Sequence, residues 1–380
     1  MSLRASATSA VWTPPRPAEI PPLRAHMVEH LRTPTAQNYT TLVLTSLVRG
    51  EAGGAIIPSA GSLAGSAAIL HHEESTRLAA ARLYHVTPEM TRSAVRAGHT
   101  MPDWDPRPAD LPAKQGFMLF SDPIAHRVND NGLRTQTVGC SWGRSGFLEK
   151  NHTAGVWLTF WSATDFRWLI DDLRNSGHSV AEARRLAFAT HGDLSWETEV
   201  MLTWNPDELT IKSPIPSPLM RPQRTVDGRP GVVDVNGYLA ERRNKKVFAP
   251  SEHAGEWTRT VWATWLLIQQ SGFTEVTEQH QSRKAQRQAE REGYNPDAVR
   301  VVDLHPRRKR RTAAAGNGAP LEYHQDVDGH WKQQAWGPAW SLHRRCYIDD
   351  YERGPKDGLT RPKQPVVYRV DTPPDGAVTP

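Results

Sequence analysis

The chain has 380 residues, a formal charge of +5, 38% hydrophobic residues, 30 prolines and two cysteines. That length allows two domains, or one large domain with insertions, and the low hydrophobic share with many prolines predicts loops and linkers beside a limited core. Two cysteines, Cys140 and Cys346, exclude a disulfide framework or a cysteine-built zinc site, leaving two thiols or a single bridge. No apolar run approaches the ~20 residues of a membrane span, and Met1–Pro22 lacks the apolar stretch of a secretory signal.

Met1–Pro22 reads as a disordered proline-rich arm. Helices are expected over Ala36–Arg49 and Ser66–Ala81, the second supported by Glu73 and Glu74 ahead of Arg77. Leu83–Thr87 reads as a strand and Pro88–Ala97 as the helix after it, with Thr87 as cap; such a junction can hold an anion on free N–H groups, and His85 stands beside it. Strands follow over Gly116–Ile124, Arg134–Trp142 and Val156–Trp161, with Asn129–Gly132 as a turn, then helices over Thr164–Asn175 and Ala181–Ala189 and a strand over Trp196–Trp204. The expected fold class is α+β: residues 23–212 form a mostly antiparallel sheet with flanking helices.

Residues 213–254 read as a proline-rich linker. Residues 255–370 read as a smaller helix-and-β unit. It opens with the Trp-rich helix Gly255–Gln270 and the cationic helix His280–Glu292, and continues with the strand Val299–Leu304, which is expected to pair with strands beyond a basic loop at 305–320. A final strand over Lys363–Val370 and a disordered tail at 371–380 complete the chain.

Arg307, Arg308, Lys309, Arg310 and Arg311 cannot be packed together, so they must be exposed. From His280 to Arg311 there are ten Lys and Arg against four Asp and Glu. Clusters of this kind gain affinity for phosphate backbones by releasing counterions. Arg283, Lys284, Arg287, the five residues Arg307–Arg311 and Lys332 are therefore candidate nucleic-acid contacts, against the alternatives of a solvated loop or a targeting address.

The densest chemistry lies in Tyr323–Ile348. His324 and His330 are six apart and would share a face if on one strand, where Asp326 and Asp328 could join a metal cluster; no third ligand has a recognisable spacing, so no metal is assigned. A metal-free site is the second reading, with His330 and His324 as acid and base and Arg344 and Arg345 as phosphate clamps. Pure structure is the third, with His330 and Trp331 packing a small β-unit. The chain has no G-x-x-x-x-G-K-[ST], G-x-G-x-x-G or H-E-x-x-H, and Gly139-Cys140-Ser141-Trp142-Gly143 only mimics a G-x-S-x-G nucleophile elbow, since it lies at a strand and not before a helix; no cofactor is expected, and ATPase, dinucleotide and serine-hydrolase readings are disfavoured.

Trp265–Gln270, Val299–Leu304, Gly329-His330-Trp331-Lys332-Gln333-Gln334, Gly337-Pro338, Arg344-Arg345 and Arg353-Gly354-Pro355 carry a resemblance to a group of uncharacterised actinobacterial, plasmid and prophage proteins. Gln325 and Cys346-Tyr347-Ile348 depart from that group's Trp and Pro-x-Trp pattern. The resemblance implies a bacterial, cytoplasmic, mobile-element setting and no mechanism. The leading expectation is a nucleic-acid-interacting protein. The alternatives are a metal-independent, toxin-like nuclease using His330 with Arg344 or Arg345, and a protein-binding scaffold. No membrane partner is expected.

Overall fold

The computed structural model describes residues 12–48, 61–102, 104, 106–128, 134–144, 155–163, 165–203, 223–226, 229–232, 247–248, 252–296, 298–305, 323–353 and 359–360. The chain divides into two compact units: residues 1–306 with 330–347, and residues 307–329 with 348–380.

The first unit opens with α1 (Ile20–Leu31), α2 (Pro34–Val48) and α3 (Leu63–Ala80), then β1 (Arg82–Val86), α4 (Pro88–His99), β2 (Gly116–Phe120), β3 (Ala125–Val128), β4 (Arg134–Gly143) and β5 (Gly155–Ala163). It continues with α5 (Phe166–Asn175), α6 (Val180–His191), β6 (Ser195–Thr203), β7 (Gln223–Val226), β8 (Arg229–Val232), β9 (Val247–Phe248), α7 (Glu252–Ile268), β10 (Thr274–Gln279), α8 (Arg283–Arg291) and β11 (Val299–Leu304). Local chemistry sets several of these boundaries. Ser62, Asp165, Ser179 and Ser282 each accept a backbone N–H within the first turn of α3, α5, α6 and α8, satisfying donors that have no partner inside the helix.

The main sheet runs in the order β10-β11-β1-β2-β4-β5-β6-β9, with β3 also on β4. Only β11/β1 and β1/β2 are parallel; the other pairings are antiparallel. The fold is thus α+β around a mixed, mostly antiparallel sheet, as the sequence suggests. One face carries Tyr84, Val86, Met118, Phe120, Cys140, Trp142, Leu158 and Phe160 beneath α4 and α7, whose Met90, Ala94, Val261 and Trp265 meet them. The other carries Leu83, Phe117, Leu119, Val138 and Trp161 beneath α1 and α3, through Met27, Leu31 and Leu78. Residues two apart share a face, and β5 shows it: Val156, Leu158 and Phe160 lie in the first core and Trp161, after a register shift, in the second. At Gly98 α4 comes so close to α7 that a Cβ would sit 2.9 Å from the Thr260 backbone.

Five expectations are corrected. The arm is structured from Trp12 onward: its indole N–H donates to the Phe120 carbonyl at 3.0 Å, and α1 begins at Ile20 with Pro21 and Pro22 in its first turn, where a missing N–H costs nothing. Strand β11 does not pair with strands beyond the basic loop; it lies between β1 and β10. Consequently α7, β10, α8 and β11 belong to the main sheet's unit, and 255–370 is not a separate domain. The boundary falls inside the C-terminal stretch itself: β13 (His330–Trp336) and β14 (Leu342–Ile348) form a two-stranded sheet, and residues 330–347 join the first unit. In the second unit β12 (Tyr323–Val327) pairs antiparallel with β15 (Tyr351–Arg353) and parallel with β16 (Leu359–Thr360). The stretch expected as a linker over 213–254 is not all loop: β7 and β8 form an antiparallel pair and β9 pairs with β6 of the main sheet. Its other residues up to 251, the basic run Arg307–Arg311, the strand expected over Lys363–Val370 and the tail lie outside the described residues. Among the described residues no helix is long and apolar enough to cross a membrane.

Candidate nucleic-acid interface and neighbouring polar clusters

Helix α8 is built to stay at the surface. At about 100° per residue, Arg283, Lys284, Arg287 and Arg291 fall within one ~100° arc, and all four are exposed. Ala285, Gln286 and Ala289 make the opposite, half-buried side, with Ala289 packed against the second core. None of the four cations is ion-paired with a described residue; Glu292 accepts from Gln288 at 2.9 Å, and the exposed Glu290 stands at the edge of the basic arc. A basic row is thus displayed on a helix anchored by alanines, two residues short of a tight turn at Gly293, where φ is 78°.

The β13–β14 hairpin divides its residues by strand alternation. Trp331 points inward: its indole N–H donates to the Ala97 carbonyl at 2.7 Å, and its ring meets Trp104 and Tyr347 at centroid distances of 5.5 and 5.2 Å. Arg345 points inward as well, onto Asp110 at 3.0 Å, with its guanidinium 4.9 Å from the Trp104 ring centre and 5.5 Å from that of Trp262. Asp110 also accepts the Trp262 indole N–H at 2.9 Å and the Arg107 N–H at 3.0 Å. His330, Lys332 and Arg344 occupy the other face and are exposed. Arg344 and Arg345, expected as a joint clamp, therefore point opposite ways, and Arg345 is committed to Asp110. His324 and His330 do not share a strand: the chain leaves β12 at Asp328-Gly329 and starts β13 at His330, in the other unit. Among the described residues no three His, Cys, Asp or Glu side chains gather as a metal site. Lys332 belongs with the α4/α7 side of the main sheet and α8 with the α1/α3 side, so the expected basic contacts form two surfaces, not one.

Two polar clusters escaped the sequence analysis in whole or part. Beneath α3 the buried Glu74 accepts from Ser141 Oγ at 2.5 Å, Thr159 Oγ1 at 2.8 Å and Arg77 Nε at 3.0 Å. Ser141 in turn accepts the Trp161 indole N–H at 2.9 Å. Arg77 also reaches Glu73 at 3.5 Å and the Arg144 carbonyl at 3.4 Å. On β6, Glu199 is half-buried, yet its Oε1 has no exposed surface and no hydrogen-bond partner. Burial pushes its carboxyl up to about 8; Arg77 opposes the shift, while Glu74 and Glu73 reinforce it. One guanidinium thus faces three carboxyl groups, and Glu199 keeps its proton at neutral pH. The signal was present as Glu73, Glu74 and Arg77 at helical spacing, but that pattern is ordinarily a solvated one.

The second cluster sits at the carboxyl ends of β1, β2 and β11. His85 Nε2 lies 3.2 Å from Ser121 Oγ, which donates to the Val86 carbonyl at 2.8 Å, while His85 Nδ1 is buried without a partner. Burial holds the imidazole below its usual pKa. Thr87 does not cap α4 with its hydroxyl as expected; it donates to Asp303 Oδ1 at 2.8 Å. Both thiols are free: Cys140 is buried and pushed well up by that burial, and half-buried Cys346 donates to Gln270 Oε1 at 3.2 Å. Comparison with protein-family models, curated proteins and solved structures finds no match to this chain.

Proposed function

We propose that the chain is a nucleic-acid-interacting protein, in the bacterial or mobile-element setting that its sequence resemblance implies. The observation that carries the reading is α8: Arg283, Lys284, Arg287 and Arg291 are exposed on one side of a short helix, and none is ion-paired with a described residue. A fixed helical row of guanidinium and ammonium groups gains affinity for phosphates through counterion release, without regard to base sequence. Arg307–Arg311, a few residues beyond β11, extends the basic sequence. The nuclease alternative has weaker footing, because the Arg345 guanidinium is occupied by Asp110 and stacked between two indoles.

The test is a salt titration of binding to a duplex by the full chain and by a variant with Arg283, Lys284, Arg287 and Arg291 all changed to Ala. Alanine keeps the helix. Each phosphate contact contributes about 0.9 to the log–log slope, so the variant's slope flattens by up to ~3–4 units. Unchanged slope and affinity would remove α8 from the interface and the reading with it.

A further inference from the structure

The geometry points to the outward face of the β13–β14 hairpin as a base-stacking site for single-stranded nucleic acid. This inference rests on the nucleic-acid reading and names a substrate class that α8 cannot distinguish. Strand alternation puts His330, Lys332 and Trp336 of β13 on the face opposite Trp331, and Leu342 and Arg344 of β14 on the face opposite Arg345 and Tyr347. Trp336 and Leu342 are 47% and 46% exposed, and Trp340 in the connecting turn is 71% exposed. Indoles ordinarily bury most of their surface, and the turn holds Trp340 outward by an unfavourable backbone: φ is 50° at Ala339 and 58° at Trp340. Left-handed φ at a non-glycine residue costs stability and persists where the surrounding structure enforces it.

Charge selects the occupant. From His330 to Tyr347 the sequence has no Asp or Glu, and the exposed polar groups of the outward face include His330, Lys332 and Arg344. Lys332 of β13 and Arg344 of β14 supply the two cations of this face. Indoles beside cations match bases beside phosphates: the rings stack on any base, and the cations track the backbone. A duplex hides its base faces, so it gains from the cations alone. The site is also rigid, because Trp331 and Arg345 pin the inner face to Ala97 and Asp110.

The test uses the full chain with circular dichroism as fold control. Binding is measured by fluorescence anisotropy to a labelled oligothymidine, to an abasic strand of the same length and to a duplex, alongside sedimentation with vesicles of phosphatidylserine and phosphatidylcholine. Stacking losses on removing an aromatic correspond to about 5- to 150-fold per base. The Trp336→Ala/Trp340→Ala variant should therefore bind oligothymidine at least ~10-fold more weakly, with abasic-strand and duplex binding within about twofold of the parent. Trp336→Phe/Trp340→Phe should restore most of the loss. Oligothymidine binding unchanged in the alanine variant, or lost equally on the abasic strand, overturns the inference. So does vesicle binding that disappears with the two indoles, which would make the tip a membrane contact. If the indole variant is neutral while the α8 variant loses binding, only this inference falls; if the parent chain binds none of the nucleic acids, both readings fall.

Discussion

Glu199→Gln tests whether the polar layer beneath α3 holds a proton. The wild-type carboxyl is raised from 4.5 to about 8. Between those values the folded chain retains a proton that the unfolded chain has released, so stability falls as pH rises from 4.5 to 8 and is level above. At 1.36 kcal/mol per unit the full interval is worth at most ~5 kcal/mol. Glu199 is only half-buried as a residue, so screening reduces that to roughly 2–4 kcal/mol. Glutamine has the shape of the protonated acid and does not titrate. The variant should match the wild type near pH 5 and exceed it by ~2–4 kcal/mol at pH 9. Taking ~2.1 cal/mol/K per residue for the entropy of unfolding, 300–380 residues give ~0.6–0.8 kcal/mol/K, so the gain in melting temperature is about 3–6 °C. The assay is thermal unfolding of both proteins from pH 5 to 9, read as their difference so that other titrating groups cancel. A difference that stays constant within ~1 °C would show that Glu199 is already ionised at neutral pH and that the single guanidinium of Arg77 suffices for all three carboxyls.

Two further outcomes probe placement. Arg345→Ala should cost ~3–5 kcal/mol in urea unfolding, because Asp110 is left buried with only neutral donors, whereas Arg344→Ala should stay within ~0.5 kcal/mol as an exposed substitution; equal effects would refute the opposite facing of the two arginines. Gly98→Ala would ordinarily gain ~1 kcal/mol of helix propensity, but the added Cβ meets Thr260 backbone that cannot rotate away, so a net loss of ~1–3 kcal/mol is expected. A rise in melting temperature would mean that α4 and α7 can separate freely.

The sequence carried the elements whose periodicity is strong. The Trp-rich α7, the βα junction at Leu83–Pro88 and the strands of the antiparallel half were legible because burial repeats at 3.6 or 2 residues. Two failures have specific causes. Pro21 and Pro22 look like helix breakers, yet in a first turn they have no partner to lose. Strand β10 reads Thr-Glu-Val-Thr-Glu-Gln and buries only Thr274; an edge strand with charges on it has no hydrophobic period to find, and those charges discourage further pairing. Partnership is a different kind of information. Tyr84 lies opposite Arg300 across more than 200 residues, and nothing local in Val299–Leu304 says that its neighbours are β1 and β10.

The same gap explains the candidate sites. A residue's chemistry is legible in sequence, but its side of an element depends on what the other side packs against. Arg344 and Arg345 are chemically identical neighbours, separated in role because Trp331 and Tyr347 fix which face of the hairpin meets α4 and α7. An isolated two-stranded hairpin is marginal in water. Here the inward row supplies its stability: one indole bonded to Ala97, one guanidinium held by Asp110 between two rings, and Tyr347 edge-on to Phe273 at 5.8 Å. With cohesion concentrated there, Lys332, Trp336 and Arg344 are not needed to hold the hairpin and are available for contact with a ligand.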